Sequence, residues 1–108
     1  MTLVLIRRTA VASLALGGLW ATGSAFASEE LFKKSNCMAC HAIDIKRLGP
    51  SMKEVSAKYE GDSSAADRLA KKIRAGGGGV WGEMPMPAQA QVSEADARIL
   101  AEYILTIK

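Results

Sequence analysis

Two cysteines and one histidine lie within five consecutive residues, in the order Cys37, Cys40 and His41. This is the C-x-x-C-H spacing, in which two thiols add across the vinyl groups of a haem and the following histidine ligates the iron. Two intervening residues let one turn of chain place both sulfurs at neighbouring pyrrole edges. The spacing therefore predicts one covalently attached haem c, bound through Cys37 and Cys40, with His41 as an axial ligand.

Other cysteine chemistry fits these residues less well. A disulfide or a thioredoxin-like dithiol needs no following histidine, and a redox C-x-x-C pair normally lies in a βαβ context that this sequence lacks. A zinc site needs a fourth ligand, and the whole chain holds 2 cysteines and 1 histidine. The same count excludes a haem with two histidine ligands from one chain.

The second axial ligand must therefore be another residue type, and methionine is the usual partner of histidine in electron-transfer cytochromes. Met1 lies in an N-terminal leader, Met38 lies inside the attachment turn, and Met52 lies on an apolar helix face that predicts core packing. Met84 and Met86 remain, in a loop where prolines at positions 85 and 87 restrict the backbone. The flanking prolines favour Met86, and Met84 is expected to pack on the exposed haem edge.

The first 27 residues have the pattern of a secretory signal peptide. Arg7 and Arg8 form a positive start, residues 9–20 are an apolar run too short to span a bilayer, and Ala25-Phe26-Ala27 is a small-x-small cleavage site. The residues after the arginines match a twin-arginine signal poorly, so general secretory export is favoured. The pattern predicts cleavage after Ala27 and a periplasmic protein of residues 28–108 that is not stably inserted in the membrane.

Size and charge limit what this domain can do. Loss of Arg7 and Arg8 with the leader reduces the 14 Lys and Arg residues to 12, against 11 Asp and Glu. A nearly neutral domain with no basic run and few aromatic residues lacks the features of a nucleic-acid-binding protein. A single domain of this size has a marginal polypeptide core, so a bound group is expected to fill part of it.

Helical periodicity and cap residues predict an all-α protein with four short helices and no sheet. The first is expected from Ser28 to near Asn36, with acidic residues at its N-terminal end. The others are expected to open at Ser51, Ser64 and Ser93, each with a Glu or Asp three residues later. Residues 76–91 form a loop too long to be a mere connector. The predicted apolar face of the last helix comprises Ile99, Leu100, Tyr103, Ile104 and Ile107.

The sequence resembles the class I cytochromes c, and most closely the small bacterial cytochrome c-551 group, over essentially all of residues 28–108. The resemblance implies a class I cytochrome c fold, in which the first and last helices cross and the remaining helices and long loops enclose one haem. It also implies His41 and Met86 as the axial ligands. The segments on which this resemblance rests are Leu31-Phe32-Lys33, Cys37 to His41 with Ala42-Ile43-Asp44, Gly49-Pro50, Gly79-Val80-Trp81-Gly82 and Pro85-Met86-Pro87.

The resemblance also implies further site residues. Pro50 is expected to lie against His41, with the carbonyl of the peptide preceding Pro50 accepting the imidazole Nδ1–H. Trp81 is expected to donate its indole N–H to a haem propionate, with Lys72 and Arg74 as further candidate partners for the propionates. Three residues after the ligand methionine, relatives often have Asn, whose amide can bond the sulfur. This chain has Gln89, which either reaches the sulfur or misses it.

With protein ligands on both sides, the iron has no open site, so the expectation is a monomeric single-electron carrier and not an enzyme. The resemblance implies redox partners such as a membrane quinol-oxidising complex, a nitrite reductase, a cytochrome peroxidase or a terminal oxidase. Docking is expected at an apolar edge near Met38 and residues 84–87. The alternative function is an open-site haem protein that binds gases or reacts with peroxide. The lysines that could steer acidic partners are Lys33, Lys34, Lys46 and Lys53.

Overall fold

The computed structural model describes residues 17–18 and 23–108, so most of the predicted leader lies outside the described residues. Four α-helices occur in the described part: α1 (Gly23–Lys34), α2 (Met52–Lys58), α3 (Ala65–Ala75) and α4 (Glu94–Leu105). A short 3₁₀ helix, Cys37–Ala39, follows α1. The β pairing found among these residues is one antiparallel bridge, between Gly77 and Met86. The all-α prediction with four short helices is confirmed.

Helix α1 starts earlier than predicted. It begins at Gly23, five residues before Ser28, because Ala25 and Ala27 are strong helix formers and continue the helix upstream. Its first turn therefore contains no acidic residue, contrary to the expectation for Glu29 and Glu30. After α1, Asn36 has a φ of 64°, a left-handed conformation that Asn tolerates better than most residues, and the chain turns into the 3₁₀ helix.

Two of the three predicted serine caps are present. Ser51 Oγ accepts a hydrogen bond from Glu54 N at 3.2 Å and the Glu54 carboxylate accepts one from Ser51 N at 2.9 Å, which completes the capping box of α2. Ser93 caps α4 through its side chain. Ser64 does not cap α3, because its N and Oγ both donate to the carboxylate of Asp62, at 2.9 and 2.8 Å.

Helix α4 is the centre of the fold, since α1, α2 and α3 all contact it. Its most deeply buried side chains are Ala97, Leu100, Ala101 and Ile104. Ile99 is exposed, contrary to the prediction, because at about 100° per residue it lies on the opposite side of the helix from this cluster. Two small alanines complete the face instead, and they let the neighbouring helices approach closely.

Contacts between α1 and α4 join the two ends of the domain. The Phe32 ring is 1% exposed, and its centroid lies 5.7 Å from that of Tyr103 at an interplanar angle of 55°. Such a tilted aromatic pair adds to the burial of both rings. Ser56 Oγ donates to the Leu105 carbonyl at 3.1 Å and connects α2 to α4. The buried apolar cluster comprises Phe32, Met52, Val55, Ile73, Val92, Ala97, Leu100 and Ile104.

None of the helices in the described part of the chain is long and apolar enough to cross a membrane.

Candidate haem-binding site

The attachment turn brings the two thiols and the imidazole to one place. The amides of Cys40 and His41 both donate to the Cys37 carbonyl, at 3.3 and 3.0 Å, and so close the turn after α1. Both cysteines are partly buried. Burial raises the pKa of the Cys37 thiol, because the thiolate would lose hydration there.

A backbone carbonyl sets the orientation of the His41 ring. Nδ1 lies 2.7 Å from the carbonyl oxygen of Pro50. A carbonyl can only accept, so Nδ1 carries the proton and donates it, which leaves the Nε2 lone pair for a metal. The accepting oxygen belongs to Pro50 itself, and not to the peptide before it as the resemblance implied. That preceding carbonyl, of Gly49, instead accepts from the amide of Arg47 at 3.0 Å.

Gly49 lies directly against the imidazole. A Cβ at this position would be 2.4 Å from Cε1 and 2.8 Å from Nδ1 of His41, closer than any real contact. The Gly49 amide donates to the Cys40 carbonyl at 2.9 Å, so the segment is attached to the turn that it supports. Sequence reasoning identified Gly49 only as part of a Gly-Pro pair, since a contact across eight residues has no local signature.

The long loop after α3 fixes the backbone of Met86. Gly77 and Met86 exchange two backbone hydrogen bonds, both 2.9 Å long. Gly76, with a φ of 67°, ends α3, and a Cβ on it would lie 2.4 Å from the Met86 carbonyl oxygen. Further along, the Gln89 amide donates to the Ile73 carbonyl at 3.0 Å. The loop is thus tied at Met86 to Gly77, just after α3, and at Gln89 to α3 itself.

The methionines divide by burial. Met86 is half-buried and packs against the apolar core, whereas Met84 is 65% exposed. Met52 is 3% exposed and belongs to the core, as predicted. The Gln89 side-chain amide donates to the Pro87 carbonyl at 3.1 Å, so it makes its hydrogen bond within the loop.

Of the predicted propionate partners, Trp81 and Lys72 line the cavity described next and Arg74 does not. The Arg74 side chain instead bonds to the chain just before α4, where its Nε donates to the Val92 carbonyl at 3.0 Å. Trp81 is half-exposed, and the Lys58 ammonium lies 5.5 Å from the centroid of its ring. This cation–π contact attaches the Trp81 loop to the end of α2.

One cavity of about 740 Å³ brings the predicted residues together. Its volume lies within the range of ~300–1,000 Å³ that is usual for cofactor sites. Phe32, Val55 and Leu69 contribute to its apolar wall. A large apolar ring that carries two carboxylates fits these walls, because four cations and only two carboxylates line the cavity. The six predicted site residues that line it are Cys37, Cys40, His41, Pro50, Trp81 and Met86, and the cations are Lys46, Arg47, Arg68 and Lys72.

A helical fold around an apolar cavity, with a C-x-x-C-H turn in its wall, defines a protein that binds haem covalently. No cluster of three or more His, Cys, Asp or Glu side chains within residues 17–18 and 23–108 offers a competing metal site. Residues 27–108 match the model of the family described as cytochrome c, and the chain belongs to that family.

Named relatives agree with this assignment. The chain is 59% identical over 80 residues to cytochrome c-551 of Azotobacter vinelandii, covering 74% of this chain and 96% of that protein. It is 47% identical over 96 residues to cytochrome c-552 of Nitrosomonas europaea, covering 89% and 93%. The crystal structure of wild-type Nitrosomonas europaea cytochrome c552 is similar in fold, with a TM-score of 0.72, 50% identity, and 74% and 99% coverage. The chain is a small class I electron-transfer cytochrome with one covalent haem c.

Proposed function

We propose that the protein is a periplasmic single-electron carrier whose haem iron is ligated axially by His41 and Met86. The observation that carries this assignment is the pair of 2.9 Å hydrogen bonds between Gly77 and Met86, which fixes a half-buried methionine in the wall of the cavity that His41 lines. When bound, the haem supplies one iron centre that accepts and releases a single electron.

The chain tunes and protects that centre with its own groups. The Pro50 carbonyl orients the His41 ring, and a methionine thioether as second ligand favours ferrous iron and so raises the reduction potential. The Trp81 indole N–H is assigned as a hydrogen-bond donor to a propionate, which needs such donors when it leaves water. The apolar wall excludes water from the ring.

The exposed side chains at the mouth of the cavity support brief docking of redox partners. Met38 in the attachment turn and Met84 in the cavity lining are both exposed, and each offers an apolar side chain to a partner. Two of the four lysines expected to steer partners are neutralised, since Lys33 pairs with Glu29 at 2.9 Å and Lys53 pairs with Asp44 at 3.0 Å. We assign a quinol-oxidising complex as the donor, and a nitrite reductase, cytochrome peroxidase or terminal oxidase as the acceptor. A monomer suffices for this role.

The ligand assignment is tested by two methionine variants of the holoprotein. Met86→Ala should remove the far-red sulfur-to-iron charge-transfer band, because the thioether that produces it is gone. Met84→Ala is the matched control, and it should keep the band. Persistence of the band in Met86→Ala, with its loss in Met84→Ala, would transfer the role to Met84.

The alternative function, an open-site haem protein that binds gases or reacts with peroxide, makes the opposite prediction for carbon monoxide. A carrier with two protein ligands should bind the gas slowly or not at all when reduced at neutral pH. Immediate, tight binding by the reduced wild-type protein would contradict the carrier function.

Export is tested separately from ligation. The signal-peptide pattern of residues 1–27 and the start of the family match at residue 27 both support cleavage after Ala27. Mass spectrometry of protein from the periplasmic fraction should give a chain that starts at Ser28 and carries one haem. A full-length mass, or a haem protein found only in the cytoplasm, would contradict this localisation.

A further inference from the structure

Arg47 is held beside the haem attachment turn at both its side chain and its backbone. Its guanidinium Nη1 donates to the carbonyl oxygen of Met38 at 3.0 Å, and Met38 is the first residue between the two attachment cysteines. Its backbone amide donates to the Gly49 carbonyl at 3.0 Å. The backbone bond fixes the chain at residue 47, and the bond to Met38 gives a side chain that is usually mobile a defined partner.

The charge of Arg47 is not neutralised by a neighbour. Within residues 17–18 and 23–108, neither Arg47 nor the adjacent Lys46 forms an ion pair, whereas Lys33 and Lys53 do. Arg47 and Lys46 also both line the cavity. Of the four cations that line the cavity, Lys46, Arg47 and Lys72 form no ion pair in this part of the chain, and Arg47 is the one that also bonds to the attachment turn.

Exposed apolar side chains adjoin this charge. Leu48 is 61% exposed and follows Arg47 in the chain, and the half-exposed Met38 is connected to Arg47 through its carbonyl. We call Met38, Lys46, Arg47 and Leu48 the Arg47 face. A small apolar area with a fixed cation favours a partner surface that offers a carboxylate next to apolar side chains.

We propose that the Arg47 face docks an acidic redox protein, with the Arg47 guanidinium as the fixed contact for a carboxylate of that partner. One of the five guanidinium N–H groups is used on Met38, and the others can bind a carboxylate in the bidentate geometry that Arg favours. This inference rests on the proposed function and adds to it the chemistry of the partner's surface.

The proposal is tested with two small oxidants of opposite charge and the reduced holoprotein. Tris(oxalato)cobaltate(III) is an anion that presents carboxylates, and tris(phenanthroline)cobalt(III) is a cation. In each reaction one electron passes from the protein to cobalt(III), which becomes cobalt(II), and no bond to the protein is formed. A change in reduction potential alters the driving force of both reactions by the same amount and so largely cancels in the ratio of the two second-order rate constants. A change in charge moves the two rate constants in opposite directions and remains in the ratio.

Arg47→Met should lower the ratio of the anionic to the cationic rate by about tenfold at an ionic strength of about 10 mM. Lys71→Met removes the same charge from an exposed α3 lysine outside the cavity lining, and should lower the ratio by less than about threefold. Arg47→Lys keeps the charge on a more flexible side chain. Its ratio of the anionic to the cationic rate should lie between those of wild type and Arg47→Met. All differences should disappear near ~1 M salt, where the Debye length is ~3 Å.

Equal ratios in Arg47→Met and Lys71→Met would overturn the proposal, because only the net charge would then matter. A ratio in Arg47→Met equal to that of wild type would overturn it as well. Failure of the wild-type protein to reduce either complex is a different result, and it would contradict the proposed carrier function itself.

Discussion

The imidazole of His41 is held between two consecutive residues, Gly49 and Pro50. Nδ1 donates to the Pro50 carbonyl oxygen at 2.7 Å, and the ring lies so close to Gly49 that a Cβ there would be 2.4 Å from Cε1. The hydrogen bond sets the tautomer and the close contact sets the position of the ring. Together they leave the Nε2 lone pair available for the axial ligation that we propose for His41.

Gly49→Ala should therefore displace the His41 ring. We expect a loss of about 1–3 kcal/mol in the free energy of unfolding, because the added methyl group overpacks a tightly filled site. The measurement is denaturant unfolding of the holoprotein, together with the NMR resonances of the His41 ring. Gly61→Ala is the control: nothing lies within 4 Å of its added Cβ, and its φ of 78° costs stability through backbone strain alone. Unmoved His41 resonances in Gly49→Ala would contradict the role given to Gly49.

Ser51→Ala should weaken the start of α2. The substitution removes one half of the capping box and should cost about 1 kcal/mol in the free energy of unfolding. Ser64→Ala removes a serine that does not cap α3, and should cost less than about 0.5 kcal/mol. Guanidinium unfolding of both variants measures the difference. Equal losses in the free energy of unfolding would show that the Ser51 cap does not stabilise α2.

Leu100→Ala should be among the more destabilising changes in α4. Leu100 is fully buried where α4 meets the other helices, and its truncation should cost about 2–5 kcal/mol. Ile99→Ala removes a neighbouring aliphatic side chain from an exposed position, and should change stability by less than about 0.5 kcal/mol. The midpoints of denaturant unfolding compare the two, and a larger effect from Ile99→Ala would contradict the orientation of α4.

Tyr103 should make stability depend on pH in the alkaline range. Burial, followed by the charge of Glu29, raises the pKa of the Tyr103 hydroxyl above its ordinary value of 10.0. A raised pKa in the folded state contributes stability that is complete below the pKa of the unfolded chain and is lost as the pH rises through the folded pKa. Tyr103→Phe cannot ionise, so its free energy of unfolding should decline less than that of wild type above about pH 10. Parallel curves from pH 8 to 11 would contradict this role for Tyr103.

Much of the helical structure follows from local patterns. The capping box of α2 and the serine cap of α4 depend on residues three apart, and the apolar stripes of α2 and α3 depend on residues three or four apart, so the sequence predicted these elements. Ser64 and Ile99 were predicted wrongly. Ser64 has a nearby competitor for its hydrogen bonds in Asp62, and the buried side of α4 is set by the three helices packed on it.

The sequence by itself determined the chemistry at the attachment turn, because Cys37, Cys40 and His41 lie within one turn of chain and their spacing needs no distant contact. Only the tertiary structure decided how the rest of the site is built. It selected Pro50's own carbonyl as the acceptor for His41 and tied Met86 to Gly77. Each of these contacts joins residues nine positions apart across an irregular loop, where no helical or strand period fixes the partner, and the loops that make them line the same cavity. The spacing of residues in the sequence does not show which carbonyl accepts from His41 or which residue bonds to Met86.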